Sequence, residues 1–314
     1  MQQTTPVTPD QRRRAAMVPP YRERGAPTLD TPLADEGDYC SNPLAPEDQL
    51  ALNQVTTYFT KAIRRSLPGQ QFLRRLGLND PEVITAFKLG YSDRTLCHRL
   101  GDPRTVAGGT LRGRMQRLGI LRPSGHELFR GSLVVPILNE RGDTEDMYGH
   151  KSSYKQRYMT PLHVSLFDPP RGVFNIRGIK GHEEIVLCGV PIDALTLWCH
   201  GVKNVTTTLG VKGLTVEHLD TFARFGVKRV VIAFERTKMG DDEARYVAQA
   251  LDAMRIDVRR MDLPSGLDVN TYSRLRYPTK GSLQDMVRDS HEFRQTYINL
   301  RENMECRRAQ KRSH

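Results

Sequence analysis

The sequence has a single tryptophan and only 7% aromatic residues, its five cysteines form no C-x-x-C pair, and no apolar run is long enough to span a bilayer. Each shortage excludes something. Cys40, Cys97, Cys188, Cys199 and Cys306 are scattered, and Cys97-His98 is too isolated to make a zinc site, so no zinc is expected and the thiols read as reduced and mostly structural. The N-terminal MQQTTPVTPDQRRRAAM lacks the apolar core of a signal peptide. With no membrane span either, a cytoplasmic location is expected. A P-loop lysine motif is also missing, which removes an ATPase partner domain of that type. What is present, 314 residues with 38% hydrophobic content, suffices for two packed subdomains plus tails.

Positive charge is in excess, with a formal net of +11, and it is unevenly placed. Residues 41–180 hold 21 Lys and Arg against 12 Asp and Glu, a net of +9, whereas residues 181–290 hold 15 of each. That division suits one part that holds a phosphate backbone and another that arranges carboxylates around divalent cations. A solvated basic surface would produce the same bias.

Residues 1–45 are rich in Thr, Pro and Arg without apolar periodicity, which predicts a disordered tail. From Pro46 the pattern changes. Leu50, Leu52, Val55, Tyr58, Phe59 and Ile63 fall at helical spacing, Leu73, Leu76 and Leu78 continue in a second short helix ended near Gly77, and a Gly and Arg-rich segment follows from Gly108 to Gly119. Ser132–Leu138 reads as a strand and the Asn139-Glu-Arg-Gly that follows as its turn. From residue 184 the chain alternates between strands at 184–188, 204–209, 229–234 and 256–261 and helices at 192–199, 216–225 and 241–254. Short hydrophobic strands separated by helices predict an α/β, doubly wound, mostly parallel sheet, whose chemistry sits beyond the C-terminal strand ends.

Those ends carry Gly189-Val-Pro-Ile-Asp193, Gly210-Val-Lys-Gly, Glu235-Arg-Thr237-Lys-Met-Gly240 and Leu263-Pro-Ser-Gly-Leu-Asp268. Here the chain resembles the TOPRIM catalytic core of bacterial replicative primases, and more closely the primase-like TOPRIM proteins carried on mobile elements. The likeness extends upstream in order, through Phe72-Leu-Arg-Arg-Leu-Gly-Leu, Phe87-Lys-Leu-Gly-Tyr91, Leu118-Gly-Ile-Leu and Leu128–Ile137. Tyr148-Gly-His150, Arg157-Tyr-Met-Thr-Pro161, Phe167 and Gly172-Val-Phe continue it to the junction with TOPRIM. The resemblance implies a disordered tail at 1–45, a basic mixed α+β primase-type subdomain at 46–180, a TOPRIM domain at 181–275 and a helical, basic tail at 276–314.

In that family the first strand ends in a Glu followed four residues later by Asp, and the third ends in Asp-x-Asp. Asp193 matches the first Asp, Gly189 stands where the Glu belongs, and Glu235 and Thr237 occupy the two positions of Asp-x-Asp. Primer synthesis by nucleotidyl transfer needs divalent cations that activate a hydroxyl and offset charge on the leaving pyrophosphate. Mg²⁺, or Mn²⁺ in its place, asks for carboxylate oxygens in near-octahedral array. Gly189 supplies none, Thr237 only a neutral hydroxyl, and Glu235 is one methylene longer than Asp, so weak metal binding and impaired catalysis are expected.

Asp268 aligns with a family acid after the last strand, or serves a polar turn. Asp241 is a possible substitute ligand, although it also suits the first turn of a helix, the reading preferred here. Asp193 reads equally as a helix cap. The resemblance assigns phosphate or nucleotide contacts to Arg157 and, more weakly, to His150, which stands where the family has Arg. Lys151, Lys155 and Arg171 extend a positive strip, and Lys212 lies in the loop after the second strand, where it would meet a triphosphate or plain solvent. The implied partners are single-stranded DNA, ribonucleotides if the site is active, and a helicase or separately encoded zinc module, since neither accessory module is recognised in the sequence. A non-catalytic protein that binds nucleic acid or a replication partner is the alternative.

Overall fold

In the computed structural model the described residues are 43–152, 162–210, 213–275 and 282–293. The chain enters through helix α1 (Pro46–Arg65), which has proline at its start, Glu47 and Asp48 in its first turn and Arg64 and Arg65 in its last, each sign matched to the helix dipole. Helix α2 (Leu67–Leu76) is capped by Ser66, whose hydroxyl accepts from the Gly69 amide, and it ends at left-handed Gly77, where the sequence placed its stop. Helix α3 (Pro81–Ala86), capped by Asp80, leads to strand β1 (Gly90–Tyr91).

The Gly and Arg-rich stretch is a helix, α4 (Val106–Arg117), started by Thr105, whose hydroxyl accepts from the Gly108 amide. Three glycines hide it from a propensity reading, yet Gly108 is required: a Cβ there would sit 2.1 Å from the Asp102 carbonyl oxygen. Strands β2 (Ser132–Leu138), β3 (Thr144–Lys151) and β4 (His163–Ser165) join β1 in an antiparallel sheet of order β1-β2-β3-β4. Alternate residues of β2 and β3 face opposite ways. Val134 and Met147 pack with Leu52, Val55 and Phe59 of α1, whereas Leu133, Val135 and Tyr148 face the second half of the molecule.

That half is built from α5 (Ile176–Ile179), β5 (Glu184–Cys188), α6 (Pro191–Cys199), β6 (Val205–Thr207), α7 (Val216–Phe225), β7 (Arg229–Ala233), α8 (Lys238–Ala253) and β8 (Asp257–Arg260). The sheet order is β6-β5-β7-β8-β9, parallel throughout except for the edge strand β9 (His291–Glu292), which pairs antiparallel with β8. The expected doubly wound, mostly parallel sheet is therefore present. Ile185, Leu187, Val230 and Ile232 meet Phe222 of α7 and Val247 and Leu251 of α8 on one face. On the other, Val186, Cys188, Val231 and Ala233 share a core with Leu195 and Trp198 of α6 and with Leu133, Val135 and Phe87 from the first half. Burial on both faces explains why these strands read as continuous apolar runs rather than alternating ones.

Of the segment after residue 275, expected as a helical basic tail, residues 282–293 are described. Helix α10 (Leu283–Arg288), capped by Ser282, precedes β9, which extends the sheet. The short helix α9 (Val269–Ser273) follows β8 and is capped by Asp268. The predicted strand at 204–209 is shorter at both ends, and Leu209 turns away with a positive φ of 61°.

Candidate functional site

The C-terminal ends of β5, β7 and β8 bring Gly189, Asp193, Glu235, Thr237, Asp241 and Asp268 to one edge of the parallel sheet. Gly189 lies between β5 and α6, where its carbonyl accepts from the Gly210 amide at 2.7 Å. Nothing about its backbone or surroundings demands glycine: an added Cβ would meet only Phe234 Cδ1, at 3.8 Å. The scaffold thus keeps room for a side chain that the sequence does not supply.

Asp193, in the first turn of α6, is buried, and no side chain caps that helix. Its carboxylate instead accepts from the backbone amide of Asn270 at 2.9 Å, in α9. Burial, then the charges of Asp268 and Glu235, push its pKa well above the usual carboxylate range, against the opposing Asn270 amide. Asp193 thus lies within electrostatic reach of both Asp268 and Glu235. The same residue raises the pKa of Tyr148, after the larger effect of burial, so it also faces the junction with the first sheet.

Glu235 and Thr237 close on each other. The Thr237 hydroxyl donates to Glu235 Oε1 at 2.9 Å while accepting from the Gly240 amide at 3.1 Å, which makes it the N-cap of α8. Capping moves the start of α8 three residues ahead of the expected 241, to Lys238. Gly240 is enforced, because a Cβ would lie 2.3 Å from the Glu235 carbonyl oxygen. Asp241 sits in the first turn of α8 with its Oδ1 held by Arg260 Nη2 at 2.7 Å and by Arg236 Nε at 3.4 Å. Asp268 accepts from the Thr271 amide at 2.6 Å as the cap of α9.

A divalent cation asks for several carboxylate oxygens converging on one point. Here each acid is directed elsewhere: Asp193 to a backbone amide in the protein interior, Asp268 to a helix start, Asp241 to two guanidinium groups, and Glu235 to a hydroxyl. Among the described residues no group of three or more His, Cys, Asp or Glu side chains is placed to hold a metal ion. The donor set does not fit the Mg²⁺ or Mn²⁺ that the resemblance implies.

At the junction, His150 and Lys151 end β3. The His150 ring lies 5.5 Å from that of Phe72 and 4.9 Å from that of His163, which is itself hydrogen-bonded to the Tyr148 hydroxyl. Lys151 is buried as a whole, 3% exposed, and donates from Nζ to the Arg130 carbonyl at 2.9 Å. Burial, then the charges of Arg122, Arg94 and Arg130, lower its pKa to about 8, so four cationic side chains crowd this corner. Arg171 is apart from them. Its backbone amide is fixed to Asp146, toward the opposite end of β3, and its guanidinium lies 4.7 Å from the Phe167 ring centre. Arg157, Lys155 and Lys212 lie outside the described residues.

Residues that the sequence reading did not select complete the site. Arg260, Arg236 and Asn270 hold the acids, and Arg94, Arg122 and Arg130 surround Lys151. Arg260 left a signal, since it falls at an inward position of the Ile256, Val258, Arg260 alternation where a cation is out of place. Asn270 left none.

Residues 186–273 match the family described as Toprim-like. A DNA primase from Staphylococcus epidermidis is 22% identical over 255 residues, covering 76% of this chain and 41% of the relative. A Staphylococcus aureus DNA primase is 25% identical over 154 residues, covering 48% and 25%. The chain therefore spans less than half the length of these curated relatives. Among solved structures, the zinc-binding and RNA polymerase domains of the Aquifex aeolicus primase superpose with a TM-score of 0.67 at 22% identity, covering 82% of this chain and 65% of that one. A DNA primase domain from Pseudomonas aeruginosa gives 0.67 at 19%, covering 82% and 83%. The parallel sheet, the basic antiparallel sheet before it and these likenesses together give the chain a Toprim-like domain, the fold of bacterial primase domains and a sequence similar to those of DNA primases.

Proposed function

We propose that this protein binds single-stranded DNA on its basic subdomain and the adjoining junction, and that it does not itself synthesise primers. The observation that carries this reading is the contrast between the two regions. Exposed Arg94, Arg122 and Arg130 all act on buried Lys151, a concentration of charge suited to phosphate, while every acid of the TOPRIM edge is committed to a cap, an amide, a hydroxyl or an arginine. One structure of similar fold, with a TM-score of 0.62, is a primase catalytic domain bound to single-stranded DNA, which supports the choice of ligand. A cytoplasmic protein that works beside a helicase or a separately encoded zinc module accords with this reading.

Primer synthesis with Mg²⁺ or Mn²⁺ and ribonucleotides is the competing reading. It is favoured by the presence of Glu235 within electrostatic reach of Asp193, and by the open space at Gly189. Primer synthesis separates the two, and fluorescence anisotropy with a labelled single-stranded oligonucleotide tests the binding itself. The binding reading predicts salt-sensitive association that Arg122→Ala weakens and Glu235→Ala leaves unchanged. Absence of binding to both DNA and RNA at moderate salt would sink it.

A further inference from the structure

Arg260 ends β8 with its side chain turned inward, 2% exposed, among the largest fully buried side chains in the molecule. An inward guanidinium is costly unless paired. Its Nη2 donates to Asp241 Oδ1 at 2.7 Å and lies 3.4 Å from the carbonyl oxygen of Glu235. The Phe293 ring, following β9, lies 5.8 Å from the guanidinium carbon. Nη1 is buried and has no hydrogen-bond partner among the described residues. Arg236 adds a second cation to the same Asp241 carboxylate and continues to Asp262 at 3.5 Å.

These contacts span the turn between β7 and α8, the turn that carries Glu235 and Thr237. Arg260 therefore ties the first turn of α8 to the backbone of Glu235 and occupies the carboxylate of Asp241, the acid beside this turn that could stand in as a ligand. A divalent ion seeking Asp241 would have to displace a guanidinium that keeps its proton at neutral pH. Burial and the neighbouring Arg236 and Arg245 lower the pKa of Arg260, to about 10, which leaves it charged in the range where the protein would act.

We infer that Arg260 is the resident cation of this carboxylate site: it neutralises Asp241, holds the β7–α8 turn in place of a metal, and keeps divalent ions from recruiting Asp241 as a ligand. The inference deepens the non-catalytic reading and rests on it, but the two fail separately. Mn²⁺ uptake without primer synthesis overturns only the role of Arg260, whereas primer synthesis overturns the functional reading.

Titration of free Mn²⁺ by electron paramagnetic resonance, with the full chain, tests it. The wild type should leave the free Mn²⁺ signal unchanged and should melt at the same temperature in EDTA and in millimolar Mn²⁺. Arg260→Lys, which retains the charge, should behave alike toward Mn²⁺. Arg260→Met, which removes it, should bind Mn²⁺ at least about tenfold more tightly than wild type and melt higher in Mn²⁺ than in EDTA. Stoichiometric Mn²⁺ binding by the wild type that Glu235→Ala abolishes would overturn the inference. So would a Lys variant that takes up Mn²⁺ as the wild type does not. Should the Met variant fail to fold, the wild-type and Lys titrations decide alone.

Discussion

The side chain of Asn270, in α9 of the parallel-sheet half, donates to the backbone carbonyl of Leu76 in α2 at 2.8 Å. The same amide nitrogen reaches Thr196 Oγ1 at 2.8 Å, and the Asn270 backbone amide holds Asp193. One buried residue thus joins the end of the second helix to the edge of the sheet where the candidate acids lie. Asn270→Ala should therefore destabilise the protein by about 2 kcal/mol, because it strands the buried Leu76 carbonyl and removes the donor to the Thr196 hydroxyl. Urea unfolding checks this, and a loss within ~0.5 kcal/mol would contradict the assigned role.

Gly189→Glu combined with Thr237→Asp should fold with near wild-type stability. The Gly189 site is open, and Asp caps helices as well as Thr does. The double variant restores two oxygen-bearing acids beside Glu235, and together with Arg260→Met it should take up Mn²⁺, read by the loss of free-ion signal. A double variant that unfolds would show that Gly189 is constrained by more than its immediate surroundings.

His218 gives a pH signature. It is fully enclosed, its Nε2 bonded to the Thr207 carbonyl at 3.0 Å and its Nδ1 to Thr215, and burial lowers its pKa to about 4 from 6.5. Between those values the unfolded chain binds the proton and the folded chain does not, so stability falls as pH drops from 6.5 toward 4, by on the order of 3 kcal/mol. Glu145 and Asp146, both raised to about 7 chiefly by burial, act in the opposite direction over much of the same range. The difference between wild type and His218→Asn isolates the histidine. That difference should shrink as pH falls from 6.5 to 4, and a constant difference would refute the assignment.

Arg122→Ala, at an exposed cation of this corner, should weaken binding to single-stranded DNA about equally for all sequences. It should also flatten the dependence of log Kd on log salt by about 0.7, the amount for one phosphate contact on a single strand. An unchanged slope would place the phosphate path elsewhere on the basic subdomain.

Much of this architecture was legible in the sequence. Strand β5 and helix α7 have the predicted bounds because each is a clean apolar pattern between polar breaks, Glu184–Cys188 and Val216–Phe225. Helix α4 was not, since Gly108, Gly109 and Gly113 weaken its propensity and tertiary contacts at Gly108 and Met115 override that weakness. Strand β9 was too short to leave a period. The candidate acids were legible by position, but their partners were not: Arg260 reaches Asp241 across 19 residues and Asn270 reaches Asp193 across 77, separations that no local pattern encodes. The sequence therefore located the edge of the sheet where chemistry would occur, and the side-chain pairings revealed how that edge is filled.

The most direct test is primer synthesis by the purified chain on single-stranded DNA with ribonucleotides and Mg²⁺ or Mn²⁺, resolved on a denaturing gel. The account predicts no RNA product with either metal under conditions where the DNA is bound. Short RNA that appears with the wild type and disappears with Glu235→Ala would contradict it.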